Sequence, residues 1–232
     1  MYFDWTYIVF LLPALLFSTW ASARVRNVFN KYGNHRSLRG LTGEQAARSL
    51  LDANGLYDVR IEQCAGQLSD HYDPGAKVIR LSEGVYGSSS EVAIGIACHE
   101  TGHAIQHAQG YAPLRLRSAI IPITNLGAKL SGPLILAGFL LASFSESLLS
   151  LAYIGILCFS LSTLFQFITL PVEFNASRRA LEAIEERGIL YDTELGPVRE
   201  ILSAAALTYV AALAVSLVQL LRFIMLVNRR RE

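Results

Sequence analysis

The run from Leu148 to Leu170 contains no charged residue. About 20 consecutive apolar residues span a bilayer as one helix, because no water is available there to pair exposed backbone amides. Three further stretches are of similar character: Trp5–Ala23, Ala119–Ala142 and Ile201–Leu221. A chain built this way cannot fold as a simple soluble globule. Its composition agrees, with hydrophobic residues at 52% and charged residues at 17%, against about 25% charged in soluble domains. Such hydrophobicity excludes intrinsic disorder. A formal charge of +1 gives no basis for nucleic-acid binding. Cys64, Cys98 and Cys158 form no CxxC pair, which argues against a disulfide-stapled secreted domain.

The flanks of these stretches set an expected topology. Ala21-Ser22-Ala23 has the small residues of a cleavage site, but the chain begins with Asp4 and no base. A signal peptide begins basic, so the first stretch reads as a retained membrane helix. Arg24, Arg26, Lys31, Arg36 and Arg39 follow it, with no acid before Glu44. Positive flanks stay in the cytoplasm, so residue 24 onward is expected inside. Ala119–Ala142 and Leu148–Leu170, joined by the short link Ser143–Ser147, read as a membrane hairpin. Lys129 within it is expected to snorkel or to face protein. The hairpin returns residues 171–200 to the cytoplasm, which suits Arg178, Arg179, Arg187 and Arg199. A fourth span over Ile201–Leu221 then places Arg229-Arg230-Arg231 outside, against the positive-inside bias. Length favours spanning all the same.

Between the first two stretches the chain looks water-soluble. Thr42 caps an expected helix through Leu51, and Gly55 stops it. Tyr57–Cys64 and Lys77–Leu81 alternate as strands, with Asp73-Pro74-Gly75 as turn chemistry between them. Ser88 and Glu91 have capping-box spacing ahead of a helix from about Ser90 to Gln109, which Gly110 ends. After Pro171, Val172–Arg187 is expected to be a helix that Gly188 stops.

The helix over 90–109 carries His99-Glu100-Thr101-Gly102-His103. Residues four apart share a helix face, about 6 Å apart along the axis. Two imidazoles there can grip one ion, and Glu100 beside them can take a proton from metal-bound water, the HExxH arrangement of zinc proteases. Burying two histidines and a glutamate without a metal would be costly. Gly102 costs helix stability, up to about 1 kcal/mol, and is expected to admit another segment closely.

A catalytic zinc usually takes three protein ligands and a water. His107 lies roughly 9 Å along the axis from the midpoint of His99 and His103, and a straight helix cannot bring it back. Its other role is polar contact at the helix end. Glu173, at the start of the helix after the hairpin, is the alternative source of a third ligand. Ser177 shares its face, and Ser177 or Asn175 is a candidate to orient a ligand imidazole. His71, Tyr72 and Arg178 are candidate donors to a developing oxyanion. His71 and Tyr72 read equally as plain turn residues. An edge strand such as Lys77–Leu81 offers pairing to an extended substrate. A membrane scaffold or chaperone with a structural zinc is the competing class. It requires a fourth protein ligand, such as His107 or Cys98.

Asp70-His71-Tyr72-Asp73-Pro74, Leu81-Ser82, the segment HETGHAIQHAQGY, and Pro171-Val172-Glu173-Phe174-Asn175-Ala176-Ser177-Arg178-Arg179-Ala180 together resemble the YugP-type membrane zinc metallopeptidases of bacteria. The layout is also similar to HtpX-type proteases and CAAX prenyl proteases, which place a membrane hairpin between the HExxH helix and the glutamate helix. The resemblance implies a gluzincin, with His99 and His103 as ligands, Glu100 as base and Glu173 as third ligand to one catalytic Zn2+. It departs at Ser177, where the wider pattern has an aspartate. The implied fold is mainly α, a zincin-like α+β catalytic part with a small sheet plus about four transmembrane helices. The expected divisions are 1–23, first transmembrane helix; 24–118, the part carrying HExxH; 119–170, the hairpin; 171–200, the glutamate helix; and 201–232, the last membrane helix and basic tail. The implied activity is that of a zinc metalloendopeptidase in the bacterial cell membrane. Its site is expected to face the cytoplasm and to act on peptides or proteins, membrane proteins among them.

Overall fold

Helix dominates because membrane burial leaves the backbone few other ways to pair its amides. The computed structural model describes residues 7–231, except for the side chains of 230 and 231. The expected start of the first span at Trp5, and the side chains of Arg230 and Arg231, lie outside the described residues. The chain is mainly α-helical with one small sheet. A π-helical turn, Tyr7–Leu11, leads into α1 (Leu12–Tyr32). Next come α2 (Gly43–Ala53), β1 (Arg60–Cys64), β2 (His71–Asp73), β3 (Val78–Ser82) and the short α3 (Glu83–Tyr86). The helices α4 (Glu91–Ala108), α5 (Ala112–Leu141), α6 (Ser150–Glu186) and α7 (Leu195–Arg231) complete it. Among the described residues, four helical segments are long and apolar enough to cross a membrane: Tyr7–Tyr32, Ala112–Leu141, Glu146–Glu186 and Asp192–Arg229.

The chain divides into two units, one of 1–20, 116–170 and 208–232, the other of 21–115 and 171–207. The first holds the apolar hairpin. Its helices approach through small residues, as membrane helices do when lipid offers no hydrophobic drive between them. A Cβ on Gly155 would stand 2.7 Å from Ile135 Cγ1 and 2.8 Å from its amide nitrogen. Ile135, Leu149, Ala152, Ile156 and Val227 pack around that approach. Thr163 and Ser216 exchange a 2.7 Å hydrogen bond between α6 and α7. Lys129 is exposed on the unit's surface.

The second unit contains the sheet. Its core joins Ala46, Leu50 and Leu51 of α2, Ile79 and Leu81 of β3, Val92, Ile94 and Ala97 of α4, Ile184 of α6 and Val198 of α7. Thr42 opens α2 with a full capping box to Gln45, and the positive φ of Gly55, 72°, ends it as a left-handed cap would. Ser90, not Ser88, caps α4 by accepting from the Ala93 amide. Ser88 instead supports Ser90, its hydroxyl 3.2 Å from the Ser90 hydroxyl.

Three features differ from the sequence-based expectation. His71–Asp73 is a strand rather than a turn, paired antiparallel to β3. β3 is therefore the middle of the order β1-β3-β2, with β1 parallel on its other side. Residues 77–81 are thus not an edge, and the edges belong to β1 and β2. Finally, α6 runs unbroken through Pro171. Proline there removes the amide that would reach the Phe167 carbonyl, a loss membrane helices tolerate when neighbours satisfy the freed group.

Replacing Gly155 with valine forces side-chain atoms into the Ile135 backbone. Overpacking of this kind costs about 1–3 kcal/mol. Thermal unfolding in detergent is expected to show a lower midpoint for this variant, and no change would remove the glycine contact as a determinant of the hairpin.

Candidate metal centre

Helix α4 is almost wholly buried from Val92 to Gln106. Apolar residues on most of its faces draw it into the core, so its few polar groups must find partners there. The structure brings His99, His103 and Glu173 together, one donor atom of each within 4.8 Å of the others. Glu173 Oε2 lies 3.3 Å from His99 Nε2 and 3.4 Å from His103 Nε2. A charge-assisted N–H···O bond would be shorter, about 2.7–2.9 Å. Two ligands on a tetrahedral zinc, each at about 2.0–2.1 Å, stand about 3.3–3.4 Å apart. The donor set therefore fits one zinc ion, and the two imidazoles with a carboxylate suit its chemistry. The imidazole side chains keep 12% and 11% exposure and Glu173 only 3%, so what little solvent contact the set has is through the histidines.

Each imidazole is held from behind. Ser177 Oγ lies 3.1 Å from His99 Nδ1, and Gln106 Oε1 lies 3.0 Å from His103 Nδ1. Gln106 Nε2 donates to the Val172 carbonyl and to Asn175 Oδ1, both at 2.9 Å. Both Nε2 atoms are left facing Glu173. Burial pulls the His103 imidazole down, but the Glu173 and Glu100 carboxylates and the Gln106 amide outweigh it and raise its pKa. Glu100 is buried beside this group.

Comparison with known proteins now decides the family. Residues 7–228 match the family described as "Putative neutral zinc metallopeptidase". The chain is 47% identical over 226 residues, covering 97% of this chain and 98% of the relative, to the "Putative membrane protease YugP" of Bacillus subtilis (strain 168). The chain belongs to this metallopeptidase family. No solved structure matches it.

For a member of this family the other expected site residues fall in different places. Tyr72 reaches α4, its hydroxyl 2.9 Å from His107 Nδ1. Burial, with Asp58 and Asp73 adding to it, raises the Tyr72 phenol, which therefore stays protonated. His71 is engaged elsewhere, with Nδ1 2.8 Å from the Ser69 carbonyl and Arg80 3.4 Å from Nε2. Arg178 is 68% exposed and lies 3.9 Å from Glu182. Among the described residues, neither His107 nor Cys98 joins the group of His99, His103 and Glu173. Cys98 is fully buried, and burial pushes its thiol up to about 12.

Two residues escaped the sequence reading of the site. Gln106 looks in sequence like any polar helical position. Asp70 accepts from the Ser82 amide at 2.7 Å and its hydroxyl at 3.0 Å, tying the start of β2 to the end of β3. Burial raises the Asp70 carboxyl against those hydrogen bonds, and the charge of Glu100 adds to the rise.

Gly102 explains how α6 comes so near. A Cβ there would meet the Ala176 carbonyl oxygen at 2.8 Å and the Ala176 Cα at 3.3 Å. Gly102→Ala gains about 1 kcal/mol of helix propensity but collides with backbone, which cannot step aside as a side chain can. Overpacking costs about 1–3 kcal/mol, so the collision is expected to win. The variant should melt lower and retain less zinc after dialysis. A variant as stable and as zinc-rich as the parent would refute the close-approach account.

Proposed function

We propose that the chain is a membrane zinc metalloendopeptidase of the gluzincin type, with His99, His103 and Glu173 holding one zinc ion and Glu100 acting as general base. The observation that carries this reading is the convergence of two α4 imidazoles and one α6 carboxylate within 4.8 Å, in a chain of a zinc metallopeptidase family. Zinc in such a site acidifies water and polarises a carbonyl. Glu100, beside His99 in sequence and buried near His103, takes the proton of the attacking water and delivers it to the leaving amine. Glu173 supplies one of the two negative charges that a divalent ion calls for. Ser177 and Gln106 keep the imidazole rings from turning away. Tyr72, protonated and anchored on α4 through His107, is the candidate among the three to donate to the oxyanion. An extended peptide has the free edge of β2 available for backbone pairing.

Charge distribution supports a cytoplasmic site. The second unit carries Arg24, Arg26, Lys31, Arg36 and Arg39 beyond the apolar part of the first long helix, and Arg178, Arg179, Arg187 and Arg199 beyond the uncharged run that ends at Leu170. Positive flanks of this kind stay inside. The competing reading, a scaffold with a closed structural zinc, calls for a fourth protein ligand. His107 is occupied by Tyr72 and the Cys98 thiol is buried in the core, so neither supports it.

Glu100→Gln is expected to keep its zinc by elemental analysis. It should lose casein cleavage by about 10²–10⁴-fold, the usual worth of a general base. Turnover within a few-fold of the parent would remove Glu100 from the role. Glu173→Ala should be purified with little zinc, whereas His107→Ala should be purified with its full complement. The opposite pattern would give the third position to His107. Chelator should abolish cleavage by the parent, and added zinc should restore it.

A further inference from the structure

The groups behind the ligands form a line of hydrogen bonds with one permitted direction. Arg179 Nε lies 2.8 Å from Asn175 Oδ1, and a guanidinium can only donate. Gln106 Nε2 lies 2.9 Å from that same oxygen and 2.9 Å from the Val172 carbonyl oxygen. A backbone carbonyl can only accept. Both neighbours therefore demand the NH2 end of the Gln106 amide. Its Oε1 is left facing His103 Nδ1 at 3.0 Å, and an acceptor at that place requires Nδ1 to carry a proton. Whenever the ring is neutral, as a metal ligand must be, Nε2 is then the atom with the lone pair, on the side where Glu173 Oε2 lies at 3.4 Å. Turning the amide over would set its oxygen against two other oxygens in a site where Gln106 is 0% exposed, and no water could relieve it.

His99 has no such constraint. Its Nδ1 faces the Ser177 hydroxyl at 3.1 Å, and a hydroxyl rotates to donate or to accept. The outer end of the line is also fixed. Arg179 donates to Gln109 Oε1 at 2.6 Å and lies over the Tyr111 ring at 5.9 Å, so it is braced against the end of α4.

We propose that Gln106 is the positioning residue that commits His103 to a protonated Nδ1 and so presents Nε2 to the metal, with Val172, Asn175 and Arg179 fixing which way round the Gln106 amide stands. The inference rests on the metal-ligand reading above, but it makes a separate claim about the metal-free chain.

The test uses the full chain in detergent micelles, labelled with 15N-histidine, and two variants. Gln106→Met keeps the shape and removes the acceptor. Asn175→Asp keeps an acceptor for both Gln106 and Arg179. Metal-free parent and Asn175→Asp are expected to show a slowly exchanging Nδ1-bound proton on His103, which Gln106→Met loses. Zinc affinity, measured by chelator competition, should fall about 10–100-fold in Gln106→Met, the usual effect of removing a ligand's hydrogen-bond partner, and stay within about threefold in Asn175→Asp. A bare His103 Nδ1 in the parent overturns the proposal. So does a Gln106→Met chain with parental zinc affinity, or an Asn175→Asp chain that loses zinc as the methionine variant does. If Gln106→Met fails to fold, the parent spectrum and Asn175→Asp still decide. A parent that takes up no zinc refutes the metallopeptidase reading, and the Nδ1 measurement continues to judge this one.

Discussion

A carboxylate that is 3% exposed must be faced by positive charge or give up its own. Isolated burial of an ionised carboxylate is among the costliest arrangements a fold can contain. Glu173 is placed against two imidazoles that approach on their Nε2 sides, and those imidazoles lie on successive turns of α4. Much of the second unit can be understood as what makes that meeting possible. Gly102 removes the side chain that would hold α4 and α6 apart. Gln106 reaches across to the α6 backbone at Val172, locking the two helices in register at the level of the site. Arg179 reaches back from α6 to Gln109 near the end of α4. Contacts from both helices therefore bracket the ligand set along its length.

The chemistry was the most legible part of the sequence because its spacing is local. His99 and His103 sit four apart, and the apolar run before them guarantees a buried helix, so geometry follows from 3.6 residues per turn. The Thr42 cap of α2 is equally local. Glu173 could be found because the site lacked a ligand and an acid stands just past an apolar run. What stayed hidden depended on distant partners. Gln106 has its deciding contacts 66 and 69 residues away, and nothing in its immediate neighbours distinguishes it from a solvent-facing amide. β2 was concealed by the turn chemistry of Asp73-Pro74-Gly75. It spans only His71–Asp73, too short to show alternation. The central place of β3 required knowing that β1 pairs parallel to it, and neither strand carries a sign of its partner.

Pro171 shows how a local rule can be overridden by its surroundings. Read as a breaker, it separates an apolar span from a polar helix. In the structure α6 continues from Ser150 to Glu186, so Pro171 lies inside one helix rather than between two. Glu173 stands three residues, about 4.5 Å of helical rise, beyond the last residue of the apolar run. Glu173 therefore stands on a helix rather than on a loop. Loops are more mobile than helices, and a metal ligand displaced by even an ångström loses its bond, so the continuous helix favours a constant ligand geometry.

The two imidazoles differ in what stands behind them, and the difference bears on Ser177. A carboxylate behind a ligand histidine raises its basicity and fixes its tautomer together. Here the two effects are separated. Ser177 touches His99 Nδ1 through a hydroxyl that can serve either protonation state, so it orients the ring without adding negative charge. Gln106 does fix a state at His103 but is itself neutral. The site thus holds Glu100 and Glu173 as its nearby carboxylates, with Asp70 near enough for the charge of Glu100 to be felt there. A further aspartate behind His99 would add like charge to a set that already raises His103, and like charges in a buried site oppose one another's ionisation. Serine at 177 is in keeping with an acidic cluster that already has the negative charge one divalent cation can balance.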